Sequence, residues 1–136
     1  MYSLWYLGRP AERVFGPGRF LFVYLMSAFS CALASLWSKR GRRDSLPSVG
    51  ASGGVFGVMA AMLVFRWRHG IPCAELWLML LLNLAVGLMS PQVDDAGHIG
   101  GAAAGALTSF LWGPRWVWSL GGMLIKDVPI IRWPFV

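Results

Sequence analysis

Two polar residues open apolar stretches of this sequence, and their types suit covalent catalysis. Ser52 lies in the small-residue segment 50–53, and His98 lies in the glycine- and alanine-rich segment 97–105. A polar side chain inside a membrane helix costs free energy unless it has a partner or a task. A serine hydroxyl can act as a nucleophile once a histidine removes its proton. The two residues therefore predict a catalytic dyad, with Ser52 as the nucleophile and His98 as the general base.

The composition indicates a protein of the lipid bilayer. Of the 136 residues, 57% are hydrophobic and only 13% are charged. A soluble domain of this size has too little interior to bury so much apolar surface. The net charge is +6, but the basic residues fall between the apolar segments, as topology determinants at a membrane surface do. We therefore expect a bilayer environment and no nucleic-acid partner.

The sequence favours neither a metal enzyme nor a cofactor enzyme. Cys31 lies in an apolar segment and Cys73 in a connection, which is neither a disulfide framework nor a metal site. The His-Glu-x-x-His pattern of zinc proteases is absent. An intramembrane aspartyl protease requires aspartates within two facing helices, and the predicted helices do not provide them. A small transporter subunit would need paired charges within the membrane, and the sequence has none there. We expect no metal and no organic cofactor.

The alternation of apolar and polar segments predicts an all-α, polytopic membrane bundle with about four full transmembrane helices and a partial one. Residues 1–7 are the partial helix, and residues 8–19, with their prolines, glycines and charges, are expected to be a surface connection. The tail, residues 114–136, is expected to be interfacial or poorly ordered. Basic residues favour the side of the first connection and the tail as cytoplasmic. The predicted full helices are 20–37, 52–65, 76–90 and 97–112.

One crossing separates the serine helix from the histidine helix, so the two are predicted to run parallel. Ser52 is roughly 21 Å from Arg66 along its helix, and His98 is roughly 25 Å from Arg115, at 1.5 Å per residue. The two polar residues are therefore expected at nearly the same depth. His69, the other histidine of the chain, falls at the opposite end and is not expected to partner Ser52.

Glycines at every fourth position give both helices a face that permits close packing. They are Gly97, Gly101 and Gly105 in the histidine helix, and Gly53 and Gly57 in the serine helix. Such faces let helix backbones approach in lipid. Close packing is what would bring the Ser52 hydroxyl within hydrogen-bond reach of the imidazole.

These motifs together resemble those of a known family. Residues 50–57, GASGGVFG, resemble the serine motif of the rhomboid intramembrane proteases, and residues 94–101, DDAGHIGG, with Gly105 are similar to their histidine helix. The resemblance covers about residues 1–113. Upstream it includes residues 4–8, Glu12 and residues 19–25, which resemble the end of the family's second helix and the start of its third.

The resemblance implies a rhomboid-like fold and an intramembrane serine endopeptidase. Ser52 would be the nucleophile, His98 the general base, and the backbone N–H groups of Ser52 and Gly53 the remaining oxyanion donors. Phe56 falls at the aromatic position that packs on the imidazole. The implied partners are membrane-anchored protein substrates and the bilayer, in a multi-pass protein of a bacterial inner membrane. The supporting residues would be Gly50, Phe56, Gly101 and Gly105.

The chain also departs from the family pattern. Rhomboids have a preceding helix, a long loop, and a His and an Asn at the start of the second helix that are linked to oxyanion stabilisation. Asn83, the one asparagine here, lies in a different helix, and loss of one oxyanion donor costs roughly 10²–10³ in rate. We therefore expect an N-terminally incomplete rhomboid-like domain over 1–113. Two functions stay open: a serine endopeptidase, or a catalytically impaired fragment or pseudoprotease that binds transmembrane helices without cleaving them.

Overall fold

The part of the chain that the structure describes is a helical bundle followed by a short β-hairpin. The structure, a computed structural model, describes residues 2–40, 51–89, 94–118 and 125–131. The predicted all-α bundle is confirmed, and the hairpin is an addition that the sequence did not predict. The boundary between domain and tail at 113/114 stays a prediction. The described elements are α1 (Tyr2–Phe15), α2 (Pro17–Ser38), α3 (Ala51–Arg68), α4 (Ala74–Leu88), α5 (Asp95–Trp112), β1 (Trp116–Trp118) and β2 (Ile125–Asp127).

The surface connection expected at residues 8–19 is wrong, because most of this segment is helical. α1 continues through Pro10 as far as Phe15. A proline inside a helix costs about 3 kcal/mol. The buried residues Leu7, Ala11 and Phe15 recur at every fourth position, so they form one face packed into the core. The free energy gained by burying this face outweighs the penalty from Pro10. The turn-like composition of the segment gave no indication of this burial.

The turn between α1 and α2 is confined to a single residue. Gly16 has a φ of 76°, in the left-handed region that glycine occupies without steric cost. Its N–H donates to the Glu12 carbonyl at 2.8 Å. Pro17 then occupies the first turn of α2, where its missing N–H leaves no helical bond unmade.

α3 is the central helix of the bundle and carries Ser52 at its start. It packs against each of the other four helices. Burial on every side is typical of a core helix rather than of a helix with one apolar stripe. The serine end of α3 is therefore held by its neighbours. The buried residues of α3 are Gly53, Gly54, Phe56, Gly57, Val58, Met59, Ala60, Ala61, Met62, Leu63 and Phe65.

α5 runs parallel to α3, as predicted, with the two backbones in close contact. A Cβ added at Gly101 would lie 2.5 Å from the carbonyl oxygen of Gly53. A Cβ added at Gly105 would collide with the backbone of Gly57, one turn further along both helices. The paired residue numbers rise together, which happens only when two helices run in the same direction.

α2 lies antiparallel to both helices and contacts them with small residues. A Cβ added at Gly57 would collide with Ser27, and one added at Gly53 would collide with Cys31. Ser27, Cys31 and Ser35 are buried and are spaced four residues apart. This is the same small-residue packing that brings α3 and α5 together.

Helix length and composition separate α2 from the other helices. Within the described residues, α2 is the helix that is both long enough and apolar enough to cross a bilayer. The apolar part of α4, Ala74–Gly87, is shorter. α4 packs against α3 and α5, and in the described part of the chain it does not pack against α1.

Candidate active site

The structure brings Ser52 and His98 into direct contact. His98 Nε2 lies 3.0 Å from Ser52 Oγ, which is hydrogen-bond distance for a nucleophile and its base. Ser52 lies in the first turn of α3 and is exposed, whereas His98 lies in the first turn of α5 and is half-buried. The contact predicted from parallel helices at matched depth is therefore present.

Phe56 fixes the plane of the imidazole ring. Its ring is stacked on that of His98, with centroids 4.3 Å apart and an angle of 11° between the planes. Phe56 is buried and lies one turn after Ser52, so it faces the same side of α3. Among the described residues, none accepts a hydrogen bond from His98 Nδ1. Among the described contacts, the stack on Phe56 and the bond to Ser52 hold the imidazole ring.

The start of α5, which carries His98, is fixed by Asp94. The Asp94 carboxylate accepts a hydrogen bond from the Gly97 N–H at 3.2 Å, an N-cap that satisfies a first-turn donor. The same carboxylate forms an ion pair with Lys39 at 3.3 Å. Lys39 directly follows α2, so the pair ties the end of one helix to the start of another.

The glycines predicted to support the site fall where the helices touch. Gly101 and Gly105 face the backbone of α3, and Gly53 is buried between α2 and α5. Gly97 instead faces α2, because a Cβ there would lie 3.0 Å from the Cys31 sulfur. The remaining predicted residue, Gly50, lies outside the described residues.

A cavity of about 570 Å³ opens beside the dyad. Ser52 and Phe56 line it from α3, and residues of α1, α2 and α4 complete the wall. Most of the lining is apolar. The polar side chains besides Ser52 are those of Tyr6, Tyr24 and Asn83. This combination of an apolar cavity and a few polar groups is typical of a binding site.

Several residues at the site were not predicted from the sequence. They are Lys39 and Asp94 as an ion pair, and Tyr24 and Asn83 as lining residues. A signal existed for Asp94, since an aspartate before a helical segment is a usual N-cap. A signal also existed for the buried α2 face, where Ser27 and its two small partners repeat at helical spacing.

His69 lies away from the dyad, as expected. Its Nδ1 is 2.7 Å from the Phe65 carbonyl, and its Nε2 accepts a hydrogen bond from the Trp116 N–H at 3.1 Å. The hairpin is further attached to the bundle by an ion pair between Arg19 and Asp127. His69 therefore joins the end of α3 to the hairpin and has no contact with Ser52.

Comparison with known proteins identifies the family. A family model described as the Rhomboid domain matches residues 1–115. This chain belongs to the rhomboid family. The resemblance inferred from the serine and histidine motifs is therefore confirmed, and rhomboid proteins are integral membrane proteins.

Individual rhomboid relatives align with most of the chain. It is 30% identical to the rhomboid protease GluP of Bacillus subtilis (strain 168), over 95% of this chain and 25% of GluP. It is 37% identical to RHOMBOID-like protein 5 of Arabidopsis thaliana, over 82% of this chain and 37% of that protein. It is 30% identical to the rhomboid protease AarA of Providencia stuartii, over 81% of this chain and 48% of AarA.

This chain spans about a quarter to a half of the length of these curated rhomboid relatives. No solved structure matches it significantly.

Proposed function

We propose that this rhomboid chain belongs to an intramembrane serine endopeptidase that cleaves membrane-anchored proteins through Ser52 and His98. The observation that carries the proposal is the 3.0 Å contact between Ser52 Oγ and His98 Nε2. Two relatives, GluP and AarA, are named as rhomboid proteases. Their names supply the reaction class, and the contact supplies the residues that would perform it.

His98 starts the reaction as a base. Nε2 accepts the hydroxyl proton of Ser52 while Oγ attacks the carbonyl carbon of the scissile peptide bond. For Nε2 to accept, the ring proton must reside on Nδ1. The tetrahedral intermediate collapses when the imidazolium donates its proton to the leaving nitrogen. The amine departs, and Ser52 is left as an ester.

The same histidine completes the cycle. A water molecule gives one proton to His98 Nε2 as its oxygen attacks the ester carbonyl. The intermediate expels Ser52 Oγ, which takes the proton back from His98. The carboxylate product leaves, and the dyad returns to its starting protonation state.

The start of α3 supplies donors for the oxyanion. N–H groups in the first turn of a helix have no acceptor inside that helix, and the N–H groups of Ser52 and Gly53 belong to this turn. We assign them to the negatively charged oxygen of the tetrahedral intermediate, where fixed donors lower the barrier. The positive end of the helix dipole acts in the same direction.

The cavity supports a substrate that arrives from the membrane. Its largely apolar lining suits a segment that leaves lipid, and α1 and α4 do not pack together in the described part of the chain. Family membership supports an integral membrane location, and we propose a multi-pass protein of a bacterial inner (cell) membrane. That location, like the substrate class, is part of the proposal.

Reporter cleavage tests the proposal. The chain, in its complete natural protein, is reconstituted with a fluorescent reporter that has one membrane-spanning segment. Wild type is expected to cleave the reporter, and Ser52→Ala and His98→Ala are each expected to abolish cleavage. The double variant is expected to be no worse than either single one, because the two residues act as a unit. A reporter that is bound but not cut by wild type would instead support a rhomboid-like protein that binds transmembrane helices without cleaving them.

A further inference from the structure

Asn83 lies on the inward face of α4, although its side chain is exposed. Leu76, Leu80 and Gly87 are the buried positions of this helix, and Asn83 falls among them at spacings of three and four residues. Residues at such spacings share one side of a helix. A position on the inward side is exposed only where the neighbouring helix stands back. The exposure of Asn83 is therefore exposure to a space within the protein.

That space is the cavity beside the dyad. Asn83 and Met79 line it from α4, while Ser52 lines it from α3. The outward positions of α4 carry apolar side chains that are more than half exposed, including Leu81, Leu82 and Val86. Asn83 is thus the polar side chain that α4 presents to the cavity.

The amide of Asn83 has hydrogen-bonding capacity beyond its bond within the helix. Nδ2 donates to the Met79 carbonyl at 2.7 Å. A side-chain amide has two N–H donors and an oxygen with two lone pairs, so one donor and the oxygen remain for another molecule. A polar group at membrane depth is costly unless a partner or a function compensates it.

A peptide that enters the cavity needs hydrogen-bond partners for its main chain. A substrate segment must leave its helical conformation for its carbonyl to meet Ser52, and its main-chain N–H and C=O groups then lose their helical partners. In a water-poor environment each unsatisfied group costs several kcal/mol. An asparagine amide offers one acceptor and one donor, which is the complement of a main-chain peptide group.

We infer that Asn83 is a substrate-binding residue whose amide hydrogen-bonds the main chain of the substrate on the cavity wall formed by α4. The inference rests on the proposed function, since it concerns the substrate of the Ser52 site. Asn83 then affects how tightly the substrate binds and takes no part in bond cleavage.

The first test separates binding from catalysis. Asn83→Leu is expected to raise KM for the membrane-spanning reporter about five- to tenfold, as for one or two lost hydrogen bonds, while kcat changes less than about twofold. The matched control, Leu82→Asn combined with Asn83→Leu, keeps the composition of α4 but moves the amide to the outward side. It is expected to bind as weakly as Asn83→Leu, whereas Leu82→Asn alone is expected to keep the wild-type KM.

The second test asks whether the bond is to the main chain. Peptide versions of the reporter carry one N-methyl group at successive positions near the cleavage site. Each is measured for binding to Ser52→Ala, which binds without cutting, and to Ser52→Ala with Asn83→Leu. N-methylation at one position is expected to weaken binding about fivefold in the first protein and not in the second, since the lost hydrogen bond is already absent there.

The outcomes distinguish this inference from the proposed function. Cleavage by wild type with an unchanged KM in Asn83→Leu would overturn the role of Asn83 and leave the dyad in place. Equal N-methyl penalties at every position in both proteins would show that no main-chain N–H of the substrate donates to the Asn83 oxygen, and would overturn the paired main-chain bond that the inference requires. If the wild-type protein cleaves no reporter and Ser52 does not react with a fluorophosphonate, the proposed function is overturned, and the inference with it.

Discussion

Ser109 Oγ donates a 2.9 Å hydrogen bond to the backbone carbonyl of Ala61. The two residues are 48 apart in the sequence, as are Gly101 and Gly53, and Gly105 and Gly57. One register is therefore kept over three successive turns of α3 and α5. The dyad lies at the start of this register, so the packing of the two helices determines the distance between Ser52 and His98.

The Ser109 bond is expected to contribute to stability more than to catalysis. Ser109→Ala removes a buried hydrogen bond two turns beyond Gly101, which is expected to lower the free energy of unfolding by about 1 kcal/mol. Denaturant unfolding in detergent measures this change. Reporter cleavage by folded protein is expected to stay within about twofold of wild type, as for a residue remote from the reacting atoms. A loss of activity without a loss of stability would contradict this division.

Gly101 is expected to be intolerant of any side chain. A Cβ at this position would lie 2.5 Å from the Gly53 carbonyl oxygen, so Gly101→Val must push α5 away from α3 and displace His98. A shift of about 1 Å in a reacting group can cost roughly 10²-fold in rate. The control is Ala103→Val, because Ala103 is exposed on the same helix. Cleavage at matched expression gives the comparison, and full activity of Gly101→Val would mean that the close helix contact does not position the dyad.

Phe56 is expected to affect kcat rather than KM. Phe56→Leu keeps an apolar side chain but removes the ring stacked on His98, a contact worth about 0.5–1.5 kcal/mol. The imidazole would then sample orientations in which Nε2 does not face Ser52 Oγ, so kcat is expected to fall about three- to tenfold. Phe29→Leu is the control, since Phe29 is exposed on α2. An unchanged kcat with a raised KM would indicate that Phe56 contacts substrate instead of orienting the base.

Variants at Asp94 can separate the N-cap from the ion pair with Lys39. Asp94→Asn keeps an oxygen for the N-cap but removes the charge that pairs with Lys39, and the partly exposed pair is worth about 0.2–1 kcal/mol. Asp94→Ala also removes the cap, at a further cost of about 0.5–2 kcal/mol. Activity is therefore expected to fall in the order wild type, Asp94→Asn, Asp94→Ala.

The ion pair itself is tested by a double-variant cycle on the same activity measurement. Lys39→Met and Asp94→Asn each break the pair, so the combined variant is expected to be no worse than the worse single one. Additive losses would show that the two side chains act independently on the start of α5.

Local sequence patterns predicted the helical bundle and the dyad contact because both follow from spacing. One crossing between two apolar segments makes their helices parallel, and glycines at every fourth position select the faces that meet. The contact of Ser52 with His98 requires little more than those two facts. The stack of Phe56 on His98 was implied by the family resemblance and is present.

Contacts between distant segments were not predictable in the same way. The residues around Pro10 have the composition of a turn. The segment is nevertheless helical, because one face of α1 is buried against the rest of the bundle, and that burial is not visible in the local sequence. The pairing of Lys39 with Asp94 depends on how α2 crosses α5. The exposure of Asn83 to the cavity depends on how far α4 stands from α1, a distance that the sequence of α4 does not encode.

Activation of Ser52 by His98 is the central claim, and covalent labelling measures it most directly. The protein in vesicles is treated with a fluorophosphonate, whose phosphorus is attacked by an activated serine, and the modified peptide is identified by mass spectrometry. We predict one adduct on Ser52, none in Ser52→Ala, and a labelling rate in His98→Ala reduced by a factor of at least about 10², as for loss of a general base. An adduct on another serine, or labelling of Ser52 at the wild-type rate in His98→Ala, would contradict the dyad.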